Sequence, residues 1–199
     1  MKFIESICHN CDPRYLKPGS LIKVNKVEGR FYCKNCGKDV TNMQEDYFVQ
    51  KQKRWDDYFH NLCIAVASKS PCLSRQIGVV IVRDNSIIST SFNGPARGYS
   101  HCEPPTCPRQ LHGFKSGEGL EHCPAAHAET NAIANAARLG VSVLGAILYM
   151  NSIIPCKFCA VSIVNAGISE VVVDDLHNYH ELSKEILLKG KVTIRRFRQ

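Results

Sequence analysis

Two short stretches of the sequence carry metal-binding residue types at the spacing of a catalytic site. They are His127-Ala128-Glu129 and Pro155-Cys156-Lys157-Phe158-Cys159. Two thiolates and one imidazole supply three zinc ligands and leave the fourth tetrahedral position for water. Zinc lowers the pKa of a bound water toward about 7, so hydroxide is available at neutral pH. His127, Cys156 and Cys159 therefore predict a catalytic zinc site.

Glu129 is the residue expected to move protons at this site. It lies two positions after His127, so it does not easily ligate the same ion from one helical turn and can instead face the water. There it would take a proton from the water and deliver it to a ring nitrogen and then to a leaving amine. The alternative is a structural zinc site with Glu129 solvated. Structural sites rarely keep an open ligand position, so the pattern favours catalysis.

Each metal-binding stretch starts a helix within an alternating series of elements. Apolar periodicity predicts a helix over residues 51–69, and two apolar runs joined by a turn predict a strand hairpin over 77–82 and 86–92. Further helices are expected over 127–139, 156–166 and 181–189, each closed by glycine, and further strands over 145–150, 169–173 and 192–197. This order predicts an α/β sandwich on a mostly parallel sheet with an antiparallel edge.

The first 48 residues differ in composition from the rest and hold two further cysteine pairs. Cys8, Cys11, Cys33 and Cys36 match the two knuckles of a zinc ribbon. The segment has too few apolar residues for its own core, so a metal staple is expected. We therefore predict a zinc-ribbon module over residues 1–48 and a catalytic domain over 49–199. The ribbon has either this structural role alone or also binds nucleic acid, a partner or a neighbouring subunit.

Composition and charge limit the class of protein. The 199-residue chain is 44% hydrophobic and has eleven cysteines, with neither an apolar run long enough to span a membrane nor a signal-peptide pattern at its start. The expected location is the cytoplasm, or a host cytoplasm for a viral gene, where cysteines bind metal rather than form disulfides. The formal net charge of +7, reduced by zinc-bound thiolates, suits a phosphate-bearing small molecule and does not require nucleic acid.

Residues 53–175 resemble deoxycytidylate (dCMP) deaminases of the cytidine deaminase superfamily. The paired H-x-E and P-C-x-x-C motifs are typical of zinc deaminases in general. The resemblance to the dCMP branch rests on Asn131-Ala132-Ile133 after the glutamate and on the segments 54–59, 76–82, 91–98, 147–149 and 165–168. It implies a three-layer sandwich with a mixed five-stranded sheet. It also implies zinc-dependent conversion of dCMP to dUMP with release of ammonia.

The same resemblance implies substrate-binding residues, regulation and assembly. Substrate contacts are expected at Asn93, Ala128 and Tyr149, although Asn93 also suits a plain turn and Tyr149 also suits packing. Family members are commonly homo-oligomers, hexamers or dimers, that dCTP activates and dTTP inhibits. The loop that resembles their regulatory site contains Asn93, Gly94, Arg97 and Gly98.

The long segment between residues 93 and 124 is rich in Gly, Pro, Cys and His. A loop of this length inside a compact domain is usually functional. Some dCMP deaminases hold a further zinc close to this loop, which implies a third zinc site in this chain. Its expected ligands are Cys102, Cys107, His122 and Cys123. The alternative is a set of free thiols.

One departure from the family pattern leaves the exact substrate open. The usual spacer Tyr-x-Thr-x-x-Pro-Cys is here the stretch 149–156, which is one residue longer and lacks the threonine. The alternative substrates are another nucleotide, or a nucleic acid held by the ribbon and the basic tail Arg195-Arg196-Phe197-Arg198. Aromatic residues that would stack bases are not interleaved with the basic ones, which disfavours nucleic acid. A non-enzymatic zinc protein would leave Glu129 and the open coordination unexplained.

Overall fold

The computed structural model describes residues 3–4, 22–27, 30–33, 38–39, 41–105, 107–115, 118–178 and 180–198. By its internal contacts the chain divides into two compact units, Met1–Arg54 and Trp55–Gln199. In the first unit, β1 (Phe3–Ile4), β2 (Ile22–Val27) and β3 (Arg30–Cys33) form an antiparallel sheet in that order. Cys8, Cys11 and Cys36 lie outside the described residues, so the zinc ribbon over 1–48 stays a prediction.

Helices and strands alternate along the rest of the chain. In order they are α1 (Thr41–Ala67), β4 (Gly78–Arg83), β5 (Ser86–Phe92), β6 (Gly94–Pro95), α2 (Pro108–Leu111), β7 (Ala125–Ala126), α3 (Ala128–Arg138), β8 (Ile147–Met150), β9 (Ile153–Ile154), α4 (Lys157–Asn165), β10 (Glu170–Val173), β11 (Asp175–Asn178), α5 (Glu181–Lys189) and β12 (Thr193–Arg196). None of the described helices combines the length and hydropathy of a membrane-spanning segment.

A mixed five-stranded sheet organises the second unit. Its spatial order is β12-β10-β8-β4-β5. β8, β10 and β12 run parallel, whereas β4 pairs antiparallel with both β8 and β5. The predicted parallel sheet with an antiparallel edge is confirmed. Helix α1 begins at Thr41 rather than at residue 51, because Gln, Glu and Lys favour helix by intrinsic propensity, which apolar periodicity does not register.

Helices cover both faces of this sheet. Phe59 of α1 packs against Tyr149 of β8 on one face. Ala132 of α3 and Ile163 of α4 pack with Leu148 of β8 on the other. Leu148 and Tyr149 point to opposite sides because successive side chains alternate along a strand. The arrangement is the expected three-layer sandwich.

Gly78 allows α1 to approach β4 closely. A Cβ atom at this position would lie 2.1 Å from the carbonyl oxygen of Cys63 and 2.6 Å from the amide nitrogen of Ala67. Both atoms belong to the backbone of α1, which cannot rotate away as a side chain can. A larger residue would therefore push the helix off the sheet.

A buried ion pair ties α1 to the last strand. Asp56 is fully buried and accepts hydrogen bonds from Arg195 Nη1 at 2.6 Å and Nη2 at 3.0 Å. The backbone N–H of Arg198 donates a further bond to Asp56 at 2.9 Å. Arg195 Nε donates to Glu170 of β10 at 2.6 Å. One arginine thus links a helix and two strands, and each charge has a partner of opposite sign.

We expect Asp56→Ala to lower the free energy of unfolding by about 3 kcal/mol, because it leaves the half-buried guanidinium of Arg195 without its main partner. The matched control is Asp57→Ala at the exposed neighbouring position, which should change this free energy by less than about 0.5 kcal/mol. Chemical denaturation followed by circular dichroism measures both. Equal stabilities of the two variants would contradict the role given to Asp56.

Candidate active site

The starts of α3 and α4 bring the three predicted zinc ligands together. His127 is the residue before α3, Cys156 is the residue before α4, and Cys159 lies in the first turn of α4. The sulfurs of Cys156 and Cys159 each lie 3.4 Å from Nδ1 of His127. All three ligand atoms fall within 4.8 Å of one another, and this is the one such group among the residues that the structure describes.

The electrostatics of this cluster suit a soft divalent cation. The hydrogen bond from Cys159, together with that from His127, lowers the pKa of Cys156 to about 3. The same bond with Cys156, and burial, raise the pKa of Cys159. The bond to Cys156 raises the pKa of His127. The positive ends of both helices also favour anionic sulfur. Two sulfurs and one imidazole fit zinc and leave one position of a tetrahedral ion for another ligand.

Glu129 lies beside the cluster in the first turn of α3. Its side chain is 4% exposed. Burial raises the pKa of the Glu129 carboxyl, and the neighbouring His127 lowers it in part. A carboxyl group with raised proton affinity can accept a proton and return it near neutral pH. The geometry therefore suits the proton-transfer role predicted for Glu129.

A cavity of about 370 Å³ lies over the ligands and Glu129. This volume is within the range of small-molecule sites, about 300–1,000 Å³. Part of its wall is apolar, formed by Ile77, Met150, Ile153 and Ile154. The polar part of the wall includes Arg75, Asn93, Arg109 and His180. Ala128, one of the predicted substrate residues, also lines the cavity.

Asn93 lines the cavity, but its side chain is committed to the protein. Its Oδ1 accepts hydrogen bonds from the backbone N–H of Ile77 and from the hydroxyl of Ser70, both at 2.8 Å. Its Nδ2 donates to the carbonyl oxygen of Arg75 at 2.9 Å. These bonds join the segment before β4 to the end of β5. The structure therefore gives Asn93 a loop-fixing role, whereas a direct contact with substrate stays a prediction.

Tyr149 lies on the wrong face of the sheet for the expected substrate contact. It is 2% exposed, and its ring centroid lies 4.7 Å from that of Phe59 and 5.9 Å from that of Phe197. The next residue, Met150, points to the opposite face and lines the cavity. Because strand side chains alternate, Tyr149 faces α1 and fulfils the packing alternative instead.

The unusual spacer before Cys156 forms an ordered part of the cavity wall. Asn151 Oδ1 accepts a hydrogen bond from the backbone N–H of Gly78 at 2.7 Å. Ser152 is 5% exposed, and its hydroxyl accepts a bond from Arg75 Nη2 at 3.1 Å. The next two residues form β9, which pairs with β11. The extra length is thus accommodated in a short strand that lines the cavity.

The side chains predicted for a third zinc do not form a compact ligand group within the described part of the chain. Cys107, Cys123 and Cys72 are the electrostatic neighbours of Cys102. Burial is the main cause that raises the pKa of Cys102, and these three thiols raise it further. The ring of His122 stacks instead on Phe114, with 5.4 Å between centroids. Cys72, which the sequence did not suggest as a ligand, therefore neighbours Cys102, whereas His122 packs against an aromatic ring.

The loop after β5 borders a second cavity. Gly94, Arg97 and Gly98 line this space of about 730 Å³. Arg97 Nη2 donates to Asn135 Oδ1 of α3 at 2.8 Å. Asn93, the fourth residue of the predicted regulatory loop, lines the cavity over the ligands. Adjacent residues of one loop therefore face two different cavities.

The residues of the basic tail mostly contact other parts of the domain. Arg195 is bonded to Asp56 and Glu170, and Arg196 Nε donates to the carbonyl oxygen of Asp174 at 3.0 Å. Phe197 packs on the ring of His60, with 4.6 Å between centroids. These contacts remove two of the tail's cations from the set available to a nucleic acid.

Three polar residues of the cavity wall were not anticipated from the sequence. Arg75 precedes β4, Arg109 lies in α2, and His180 precedes α5. They come from separate segments, and no common motif joins them. The one signal was the placement of Arg109 in the long Cys- and Gly-rich loop, which did not show which of its cations would fold inward.

Comparisons with known proteins agree with this geometry. Residues 53–174 match the cytidine and deoxycytidylate deaminase zinc-binding region. The deoxycytidylate deaminase of Schizosaccharomyces pombe is 36% identical over 143 residues, which cover 72% of this chain and 44% of that protein. The deoxycytidylate deaminase of a Mycobacterium phage is 37% identical over 123 residues, which cover 59% of this chain and 92% of that protein.

A solved structure shares the fold. The dCMP deaminase of the cyanophage S-TIM5 has a TM-score of 0.55 and 20% identity, over 71% of this chain and 95% of that chain. This chain spans less than half the length of the fission-yeast relative, at 44%. The match over residues 53–174 contains all three zinc ligands and Glu129, and we conclude that the chain belongs to the cytidine and deoxycytidylate deaminase family.

Proposed function

We propose that this protein converts dCMP to dUMP by zinc-dependent hydrolysis and releases ammonia. The observation that carries the proposal is the convergence of His127, Cys156 and Cys159 beside the buried Glu129, in a cavity of small-molecule size. The deoxycytidylate deaminase relatives favour dCMP over other amine-bearing bases. The engagement of Arg195 and Arg196 within the fold disfavours a nucleic acid substrate.

The residues of the chain divide the chemistry between them. Zinc held by His127, Cys156 and Cys159 would supply the Lewis acid that activates a water molecule. Glu129 takes a proton from the attacking water and passes it to the ring nitrogen beside the reacting carbon. It then moves the remaining proton of the added hydroxyl group to the departing amine. A carbon–oxygen bond forms, the carbon–nitrogen bond breaks, and ammonia leaves. The apolar wall around Met150 limits the entry of bulk water.

We expect Glu129→Gln to lower kcat for dCMP by about 10²- to 10⁴-fold, because the amide cannot accept and return the proton. Zinc content should stay unchanged, because Glu129 is not a ligand. The matched control is Glu185→Gln on α5, whose exposed carboxylate pairs with Lys189 and which should retain full activity. Conversion of dCMP to dUMP by chromatography and zinc by mass spectrometry give the two readouts. Undiminished turnover in Glu129→Gln would overturn the mechanism.

We also propose structural zinc outside the active site. In the N-terminal module, Cys8, Cys11, Cys33 and Cys36 form a ribbon site. The Cys33 side chain is buried, and its amide N–H donates to the carbonyl oxygen of Lys38 at 2.9 Å, which supports a fixed position for this ligand. In the long loop, Cys102, Cys107 and Cys123 hold a third ion. The fourth ligand is Cys72 rather than His122, since Cys72 neighbours Cys102 and the His122 ring is stacked on Phe114.

The loop site predicts different zinc contents for two single variants. Cys72→Ser should lose one zinc per chain relative to the unmodified protein, because a thiolate ligand is removed. His122→Ala should keep the full zinc content. Metal analysis of the purified proteins after dialysis measures this. The reverse pattern would restore His122 as the ligand, and full zinc in both variants would remove the loop site.

We propose that the second cavity, at Gly94, Arg97 and Gly98, binds dCTP or dTTP and regulates the enzyme. Arg97 offers a cation for a triphosphate, and Asn93 on the same loop reaches the cavity over the zinc ligands. Activity that does not respond to either nucleotide would remove this proposal. A homo-oligomer, hexamer or dimer, is supported by Phe158 and Val161 of α4, which are 70% and 45% exposed.

We place the reaction in the cytoplasm, or in a host cytoplasm for a viral protein. The cysteines in the described part of the chain carry no disulfide, which suits a reducing compartment.

A further inference from the structure

Two asparagine side chains of α3 bond to the outer edge of strand β5. Nδ2 of Asn131 donates to the carbonyl oxygen of Phe92 at 3.1 Å, and Nδ2 of Asn135 donates to that of Thr90 at 3.0 Å. Strand β5 is the last strand of the five-stranded sheet, with β4 as its neighbour. The carbonyl groups on the side of β5 that faces away from β4 are therefore bonded by side chains of a helix.

The spacing of these two bonds matches the repeats of both elements. Residues four apart on a helix lie on one face, about 6 Å apart along its axis. Residues two apart on a strand point their carbonyl groups to the same side and lie about 6.7 Å apart. Asn131 and Asn135 therefore reach Phe92 and Thr90 as two rungs of a ladder. Sliding α3 by one residue, about 1.5 Å, would break both rungs together.

Further hydrogen bonds fix the ladder in place. The hydroxyl of Ser89, in β5, donates to the carbonyl oxygen of Ala132 in α3 at 2.7 Å, and the Ser89 side chain is buried. Arg97 Nη2 donates to Asn135 Oδ1 at 2.8 Å. The oxygen of the Asn135 amide is thus engaged by the loop after β5, while its nitrogen bonds Thr90.

The apolar contacts of α3 define its position along its own axis poorly. Apart from Glu129, the buried residues of this helix are all alanine, at positions 128, 132 and 136. Methyl groups four residues apart present a nearly flat surface, and hydrophobic contact is non-directional. Ile133 adds one half-buried side chain to the core. The directional hydrogen bonds to β5 therefore set the axial register of α3.

We propose that Asn131 and Asn135 are positioning residues, which set the register of α3 and thereby hold Glu129 and His127 beside the cysteine ligands. The inference rests on the proposed function for the reaction that Glu129 serves. Glu129 and His127 lie two and four residues before Asn131, so a slide of the helix moves both of them. A displacement of about 1 Å at a reacting group can cost about 100-fold in rate.

A role in stability alone would give a different kinetic result. Lower stability reduces the amount of folded enzyme but leaves kcat per folded molecule and KM unchanged. Loss of register misplaces Glu129 in every folded molecule, so kcat falls, whereas KM changes little because most of the cavity wall comes from other segments. His127 moves with Glu129, which changes the absorption spectrum of a cobalt ion bound in place of zinc, because that spectrum depends on ligand geometry.

The test uses Asn131→Asp in the full chain. This substitution keeps the shape of the side chain, removes its N–H donor and sets a carboxylate oxygen against the carbonyl oxygen of Phe92. We expect kcat for dCMP to fall by about 10- to 100-fold with KM within about twofold, and the visible bands of the cobalt-loaded protein to shift. The matched control is Asn61→Asp at an exposed position of α1, which should behave as the unmodified protein in both measurements.

A folded Asn131→Asp variant with unchanged kcat, or with unchanged cobalt bands, would overturn the proposal. If Asn131→Asp does not fold, Asn135→Asp repeats the comparison, since its carboxylate still accepts from Arg97 but no longer donates to Thr90. A fall in kcat of about three- to tenfold is then expected, the worth of one hydrogen bond, and an unchanged kcat overturns the proposal.

Failure of the proposed reaction is distinguishable from failure of this inference. An unmodified protein that does not turn over dCMP contradicts the proposed reaction, and the cobalt bands then decide the register by themselves. Shifted bands in Asn131→Asp, with unchanged bands in Asn61→Asp, support the positioning role. Bands that are the same in all three proteins overturn it.

Discussion

The site depends on the starts of helices α3 and α4, which lie side by side. His127 and Cys156 occupy the positions before α3 and α4, and their ligand atoms lie 3.4 Å apart. Each helix start presents backbone N–H groups and the positive end of its dipole, which favours anionic sulfur at the point where a cation binds. Glu129 lies in the first turn of α3, the helix that His127 directly precedes. A shift of α3 against α4 would therefore disperse the metal ligands and misplace the carboxyl group together.

The sheet holds α3 and α4 on one face, and the packing of α1 on the opposite face stabilises the sheet. Gly78 lets α1 lie directly on β4, and Phe59 of α1 packs against Tyr149 of the neighbouring β8. The Asp56–Arg195 pair then joins α1 to β12. One charged cluster and the apolar packing beside it thus hold α1 against the sheet. The cavity forms on the opposite face, where the loops after β5 and β8 meet the starts of α3 and α4.

Local pattern predicted the parts of the fold that depend on local chemistry. The H-x-E and P-C-x-x-C stretches identified the ligands because cysteine and histidine at these spacings have few other uses, and the order of strands and helices followed from apolar periodicity. The direction of single side chains was harder to predict. The resemblance implied a substrate contact for Tyr149 with packing as the alternative, and strand alternation turns Tyr149 toward α1, whereas the adjacent Met150 lines the cavity.

The roles of residues that contact distant segments could not be predicted from the sequence. Asn93 satisfies three polar groups of the segment before β4, so its role is set by that contact rather than by its Asn-Gly motif. Arg109 becomes a wall residue because the carbonyls of Lys115 and Glu118 hold it inward. Arg195 resembled part of a basic tail, but its partner Asp56 lies in the first helix. Each of these contacts forms only in the tertiary structure, so no periodicity of the sequence predicts it.

The proposed function is tested most directly by kcat/KM for ammonia release by the zinc-loaded full chain across dCMP, CMP, dCTP, deoxycytidine and single-stranded DNA. We predict the highest value for dCMP, with loss of activity on chelation of zinc and recovery when zinc is returned. Turnover of single-stranded DNA without turnover of dCMP, or release of ammonia that is indifferent to zinc, would contradict it.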